Sequence, residues 1–182
     1  MSKTMPLKQL TQMAILVAMS IVLIYFIRFP IIPAAPFLEY TPGDIPLILG
    51  TLLFGPAAGM MISVITAFIQ GMTVSAHSGI IGIIMNILSF SSYMLTVGLI
   101  CRRRKTAKRI IAAMIAGIIA TTITMALFNI IFTPIFWGVP REVVIGMILP
   151  MIVPFNLIRT GVNSLFAFIC LQALNVAIKS KH

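Results

Sequence analysis

Residues 45–71 read IPLILGTLLFGPAAGMMISVITAFIQG, and the number of helices they make decides the fold. The run is apolar from end to end. It makes either one long span or two short ones folded back at Gly55–Pro56, a turn dipeptide. The choice sets the parity of the whole chain, because every later loop changes side with it.

The surrounding chain shows what solvent these helices expect. Of 182 residues, 60% are hydrophobic and 9% charged, where a soluble domain carries about 25% charged residues. Several apolar runs approach the roughly 20 residues that cross a hydrocarbon core as a helix. The expectation is an all-α integral membrane protein forming a single domain over 1–182, with no room for a separate soluble module. Spans are expected near 9–27, 79–101 and 110–133, the last closed by Thr133–Pro134. Pro30, Pro33 and Pro36 keep the segment after the first span out of a helix. Residues 143–178 would measure about 54 Å as one straight helix. Pro150 and Pro154 are therefore expected to divide them, leaving a last span near 152–177 and a surface piece before it.

Charge settles the parity. With two short spans at 45–54 and 57–71 the total is six, both termini lie in the cytoplasm, and the inner segments hold Lys3, Lys8, the cluster Arg102 to Arg109, Lys179 and Lys181. Those segments hold ten basic residues and no acidic one, the excess of Lys and Arg that the positive-inside rule expects of inner segments. With five spans the 102–109 cluster would share a side with Arg28 and Glu39, opposite the N-terminal lysines. Six is the better count. It also accounts for the net charge of +10 through topology and anionic lipid heads rather than nucleic acid. MSKTMPLKQL shows no small-residue cleavage site, so no removed signal peptide is expected. Cys101 and Cys170 have no metal spacing and read as packing residues.

In this topology the midspan polar residues gather in the outer half: Gln70, Asn86, Asn129, Asn156, Arg159 and Asn163. Positions 156, 159 and 163 share one helix face. A charge in a bilayer costs about 2.5–3.5 kcal/mol even on lenient scales, so Arg159 faces the bundle interior or a wet cavity. Its planar fork suits a carboxylate or a carbonyl pair. It meets a ligand, pairs with Glu39, Asp44 or Glu142, or snorkels outward. Asp44, in Gly-Asp-Ile-Pro, reads as a helix cap. Asn129 and Gln70 fit helix–helix hydrogen bonds nearly as well as ligand contact. Tyr40 and Trp137 read as interface anchors or as lids over a pocket, and His77, alone in its loop, does not read as a metal ligand. Ala14 and Ala18, four apart on the first span, have the small-residue spacing that lets another helix approach. No GxxxxGK[ST] loop, HExxH or paired acidic dyad is present, so this chain is not expected to be an enzyme or to hydrolyse ATP. No cofactor or metal is expected.

The stretches FLEYTPGDIPLILGTLLFGPAAG (37–59) and VPFNLIRTGVN (153–163), with six spans, a small-residue pair on span one and a basic inner loop, resemble the substrate-binding S components of energy-coupling factor (ECF) vitamin transporters, in their riboflavin and pantothenate branches. The resemblance implies a bacterial plasma-membrane protein that captures a vitamin at its outer face. It would dock, through alanines such as Ala14 and Ala18, on a transmembrane coupling protein driven by two cytoplasmic ATPases. The loop at about 28–43 would gate the site. The expected substrate site is built from Arg159, Asn156, Asn163, Asn129, Asn86, Gln70 and Tyr40. Arginine for a carboxylate and amides for hydroxyls favour pantothenate. Riboflavin is the alternative, with Tyr40, Phe155 and Trp137 as stacking surface, and a stand-alone secondary transporter is a more distant one.

Overall fold

The structure, a computed structural model, describes residues 6–179; Lys3 and Lys181, two of the expected inner cations, lie outside them. The order is α1 (Leu7–Phe26), a two-stranded ribbon β1 (Phe29–Pro30) and β2 (Glu39–Tyr40), α2 (Asp44–Phe54), α3 (Pro56–Met72), α4 (Gly79–Cys101), α5 (Ala107–Trp137), α6 (Arg141–Met147) and α7 (Val153–Lys179). A 3₁₀ turn at Ala76–Ser78 precedes α4, and a π-helical turn at Ile148–Ile152 joins α6 to α7.

The opening stretch makes two helices. Gly55 takes φ 95°, a conformation only glycine adopts without strain, and Pro56 starts α3 where its missing N–H costs nothing. The arms fold back antiparallel. A Cβ on Gly50 would lie 2.4 Å from Ile62 Cδ1, and one on Gly59 would lie 2.1 Å from Thr51 Oγ1. Across the turn, a Cβ on Gly98 would lie 2.7 Å from Pro56 Cα, so α4 presses directly on the hairpin tip.

Among the described residues, four helical stretches are long and apolar enough to cross a membrane: Leu7–Phe26, Ala76–Cys101, Ala107–Trp137 and Arg141–Leu174. The two hairpin arms are shorter apolar helices. Polarity is distributed inside out. Ile111, Ile115, Ile119, Ile123, Leu127, Ile131 and Ile135 make an exposed stripe along α5, while Ser20, Ser63, Thr66, Asn156 and Asn163 are buried. An apolar stripe of that length on a soluble monomer would be an aggregation surface; against lipid it costs nothing. The chain is a membrane protein. Its apolar core lies between the hairpin, α4 and α5, around Leu47, Ile48, Ile62, Met94 and Val97.

Two expected boundaries move. Helix α5 does not close at Thr133–Pro134 but carries Pro134 inside it and ends at Trp137, where Gly138 turns left-handed at φ 65°. A proline removes one backbone donor and strains one turn; a left-handed glycine stops the helix. Nor do Pro150 and Pro154 break the chain. Residues 141–179 stay helical, with Pro150 in the wider π turn and Pro154 in the first turn of α7.

Candidate functional site

At the end of the bundle remote from the Gly55–Pro56 turn, a cavity of about 210 Å³ is walled by side chains from α1, the ribbon loop, α3, α4, α5 and α7. Five expected site residues line it: Gln70 from α3, Asn86 from α4, Asn129 from α5, and Asn156 and Arg159 from α7. Phe155 and Met125 supply apolar wall. A second lobe of about 370 Å³ shares Phe37, Glu39, His77, Met85 and Asn129 with the first and adds Phe132, Phe136 and Trp137. The first lobe is thus amide-lined and the second aromatic. Phe37 and Trp137 meet edge to face at 4.3 Å between centroids, so the ribbon loop and the end of α5 touch across the aromatic lobe.

Tyr40 and Asn163 are placed elsewhere. They do not line the cavity but bond each other: the Tyr40 hydroxyl donates to Asn163 Oδ1 at 2.9 Å, and Asn163 Nδ2 donates to the Thr41 carbonyl at 3.0 Å. From α1, the Ser20 hydroxyl donates to the Gly43 carbonyl at 2.6 Å. Helix side chains thus supply the partners that the loop's own backbone lacks. Burial, and next the Asp44 carboxylate, push the Tyr40 phenol above its usual range, against a smaller opposing pull from Arg159. Tyr40 therefore stays a donor at neutral pH.

Asp44 does not cap α2. Gly43 is the cap residue, and Asp44, the first residue of the helix, accepts a hydrogen bond from Arg159 Nη2 at 3.0 Å. Both side chains are buried, and the guanidinium lies 5.6 Å above the Phe90 ring. A lone buried cation is untenable in hydrocarbon, and a carboxylate one bond away resolves it. At the rim, Arg28 Nε donates to Glu39 Oε2 and Arg28 Nη1 to the Val74 carbonyl at 2.8 Å, tying the ribbon loop to the segment after α3.

Three buried polar atoms of the cavity-lining residues have no partner among the described residues: Asn156 Oδ1, Gln70 Oε1 and Arg159 Nε. Native proteins leave few such groups. The site offers two acceptors and a donor, beside aromatic faces, with its cations already paired. That combination suits an uncharged, carbonyl-bearing ring with N–H or O–H donors. Arg28, Glu39, Phe37, Ser75 and Ser78 also line the cavity and were not singled out from sequence as site residues. Phe37 and Glu39 lie in FLEYTPGD (37–44) and Ser75 and Ser78 in TVSAHSG (73–79), two loops that six spans put on the same side; Arg28 lies in neither.

A family model described as "ECF transporter, substrate-specific component" matches residues 8–171. A protein named riboflavin transporter RibU from Staphylococcus aureus (strain TCH60) is 30% identical over 108 residues, 59% of this chain and 56% of that protein's length. Another of the same name, from Streptococcus thermophilus (strain ATCC BAA-250 / LMG 18311), is 26% identical over 181 residues, 94% of this chain and 85% of that one. A solved structure of the S component of a bacterial ECF transporter superposes with a TM-score of 0.82 at 28% identity, covering 94% of this chain and 98% of its own.

Proposed function

The chain belongs to the family of ECF transporter substrate-specific components, and from that premise we propose that it captures riboflavin in the cavity between the ribbon loop and α7. The observation that carries the reading is the match to a riboflavin transporter along 94% of the chain. The paired charges support it. Pantothenate, the ligand expected from sequence, would need Arg159 as the partner of its carboxylate, and that arginine is engaged with Asp44. The isoalloxazine is a flat, uncharged, carbonyl-bearing ring system. It lies against Phe155, Phe37 and Trp137, and the unpartnered amide oxygens of Asn156 and Gln70 accept from its N–H edge or the ribityl hydroxyls.

In this reading the chain is one membrane domain of six spans in the bacterial plasma membrane, the hairpin arms being spans two and three. Both termini and the 102–109 cluster are cytoplasmic, and the cavity opens outward. Ala14 and Ala18, both exposed on α1, give the close-approach face for a transmembrane coupling protein, and two cytoplasmic ATPases supply the energy. The chain carries no chemistry of its own.

The test is ligand release from purified protein followed by titration. A yellow preparation that yields flavin on denaturation, and stoichiometric quenching of riboflavin fluorescence on rebinding, are expected. Saturable binding of pantothenate with no flavin response would sink the assignment.

A further inference from the structure

At the opposite end of the molecule a second cleft, of about 280 Å³, lies between the hairpin tip and the end of α4. Gly55 and Pro56 form one wall, Gly98 and Cys101 the floor, and Arg102 and Lys105 the cationic side. We propose that this cleft holds the phosphate of an anionic lipid headgroup.

Charge is the first argument. Residues 102–109 contain six cations and no acid, and the chain's three carboxylates, Glu39, Asp44 and Glu142, all lie outside that segment. Glu39 and Asp44 are taken by Arg28 and Arg159, and among the described residues no ion pair reaches the 102–109 segment. Among the described residues the Lys105 ammonium makes one hydrogen bond, to the Leu53 carbonyl at 3.2 Å, which leaves two of its three donors free. That bond also fixes the ammonium at the cleft edge. Geometry is the second argument. The positive end of α3 begins at Pro56 in the cleft wall, so its first free N–H groups add to the same potential. The third argument selects a lipid over a free anion. Leu53 lines the cleft and is itself exposed, and Leu95 and Leu99 are exposed on neighbouring turns of α4. A headgroup seated between Arg102 and Lys105 has an apolar track for its acyl chains. Basic pockets between helices on the cytoplasmic side are suited to such headgroups.

The experiment uses the full chain in a neutral detergent, titrated separately with dioleoyl phosphatidylglycerol, dioleoyl phosphatidylcholine and inorganic phosphate. Retained lipid is read by native mass spectrometry and riboflavin binding is followed in parallel. Phosphatidylglycerol is expected to be retained at one per chain and phosphatidylcholine not. Arg102→Gln with Lys105→Gln is expected to weaken retention roughly 30-fold, or about 2 kcal/mol at about 1 kcal/mol per cation. Riboflavin binding should be unchanged, which shows that the variant is folded and separates this claim from the vitamin assignment. Arg103→Gln with Arg104→Gln removes equal charge outside the cleft lining and should retain the lipid. Equal loss in both double variants would mean diffuse surface charge and overturn the site, as would equal retention of phosphatidylcholine. Displacement of the lipid by millimolar inorganic phosphate would overturn the lipid assignment. Should the first double variant lose riboflavin binding as well, Lys105→Gln alone is the arm that decides: retention at the wild-type level overturns the site.

Discussion

At the cavity end, Arg28 and Arg159 each face a carboxylate. At the hairpin-tip end, Arg102 to Arg109 hold six cations, and among the described residues none is in an ion pair. The first arrangement leaves the cavity close to electroneutral, which suits an uncharged ligand. The second leaves a strong positive field where the polypeptide meets the membrane surface, which suits orientation and lipid contact. One end uses charge to position loops and helices around a cavity. The other leaves its charge for molecules outside the protein. The contrast yields expectations of decreasing size.

The largest effect should come from Asp44→Asn. It leaves the buried Arg159 guanidinium without its counter-charge, and loss of about 3–5 kcal/mol is expected, read as a fall in denaturation midpoint and in monodisperse yield. Asp44→Leu with Arg159→Met should recover most of that stability. If the single variant is as stable as the parent, the pair is not what neutralises the cavity. Next is Asn156→Leu, which removes an unpartnered acceptor and should weaken riboflavin binding by about 1–3 kcal/mol, roughly fivefold to 150-fold. Unaltered affinity would remove Asn156 from the site. Gly98→Val forces a side chain against Pro56 and should cost about 1–3 kcal/mol by overpacking, seen as a lower melting temperature with riboflavin affinity spared.

Tyr40→Phe should cost about 1 kcal/mol through its bond to Asn163. It should also change the alkaline limb of stability. Because the phenol pKa is raised in the folded state, its contribution is complete below the ordinary tyrosine value near 10 and is lost as pH rises through the higher folded value. The variant should lack that component of the loss. The smallest effect belongs to Arg28→Gln. The pair is partly exposed, so stability should fall by no more than about 1 kcal/mol, while riboflavin dissociates faster because the loop loses its tie to Val74. An unchanged dissociation rate would make the Arg28–Glu39 contact ornamental.

Much of this could be read from the chain itself. Gly-Pro at 55–56 marked the hairpin because both residues favour the same break, and the one-sided basic cluster fixed the parity that made two short helices preferable to one. Five of the seven expected site residues line one cavity because apolar helices carry amides inward wherever they occur. What sequence could not resolve was partnership across distance. Arg159 had three candidate carboxylates; the choice follows from Glu39 being held by Arg28 and from α2 starting beside α7. The Tyr40–Asn163 bond spans 123 positions, and nothing local distinguishes an asparagine that meets a ligand from one that holds a loop. Pro134 misled for a related reason: whether a proline ends a helix depends on what packs around it.

The first hairpin arm is short. Eleven residues make about 16 Å of helix, half a hydrocarbon core. Gly43, just before it, packs on Ser20 and Ile24, short of the end of α1 at Phe26. The strand of chain leading to α2 therefore runs below the rim as bare, unladdered backbone. Such backbone is tolerated at that depth only where protein or enclosed water completes its hydrogen bonds. Here Ser20 and Asn163 do so for the Gly43 and Thr41 carbonyls. Any movement that lifts this segment strips two carbonyls of their donors at once. It becomes inexpensive only where solvent can reach them, so under the proposed function release of the ligand would be coupled to hydration of the loop as much as to loss of grip on the ligand.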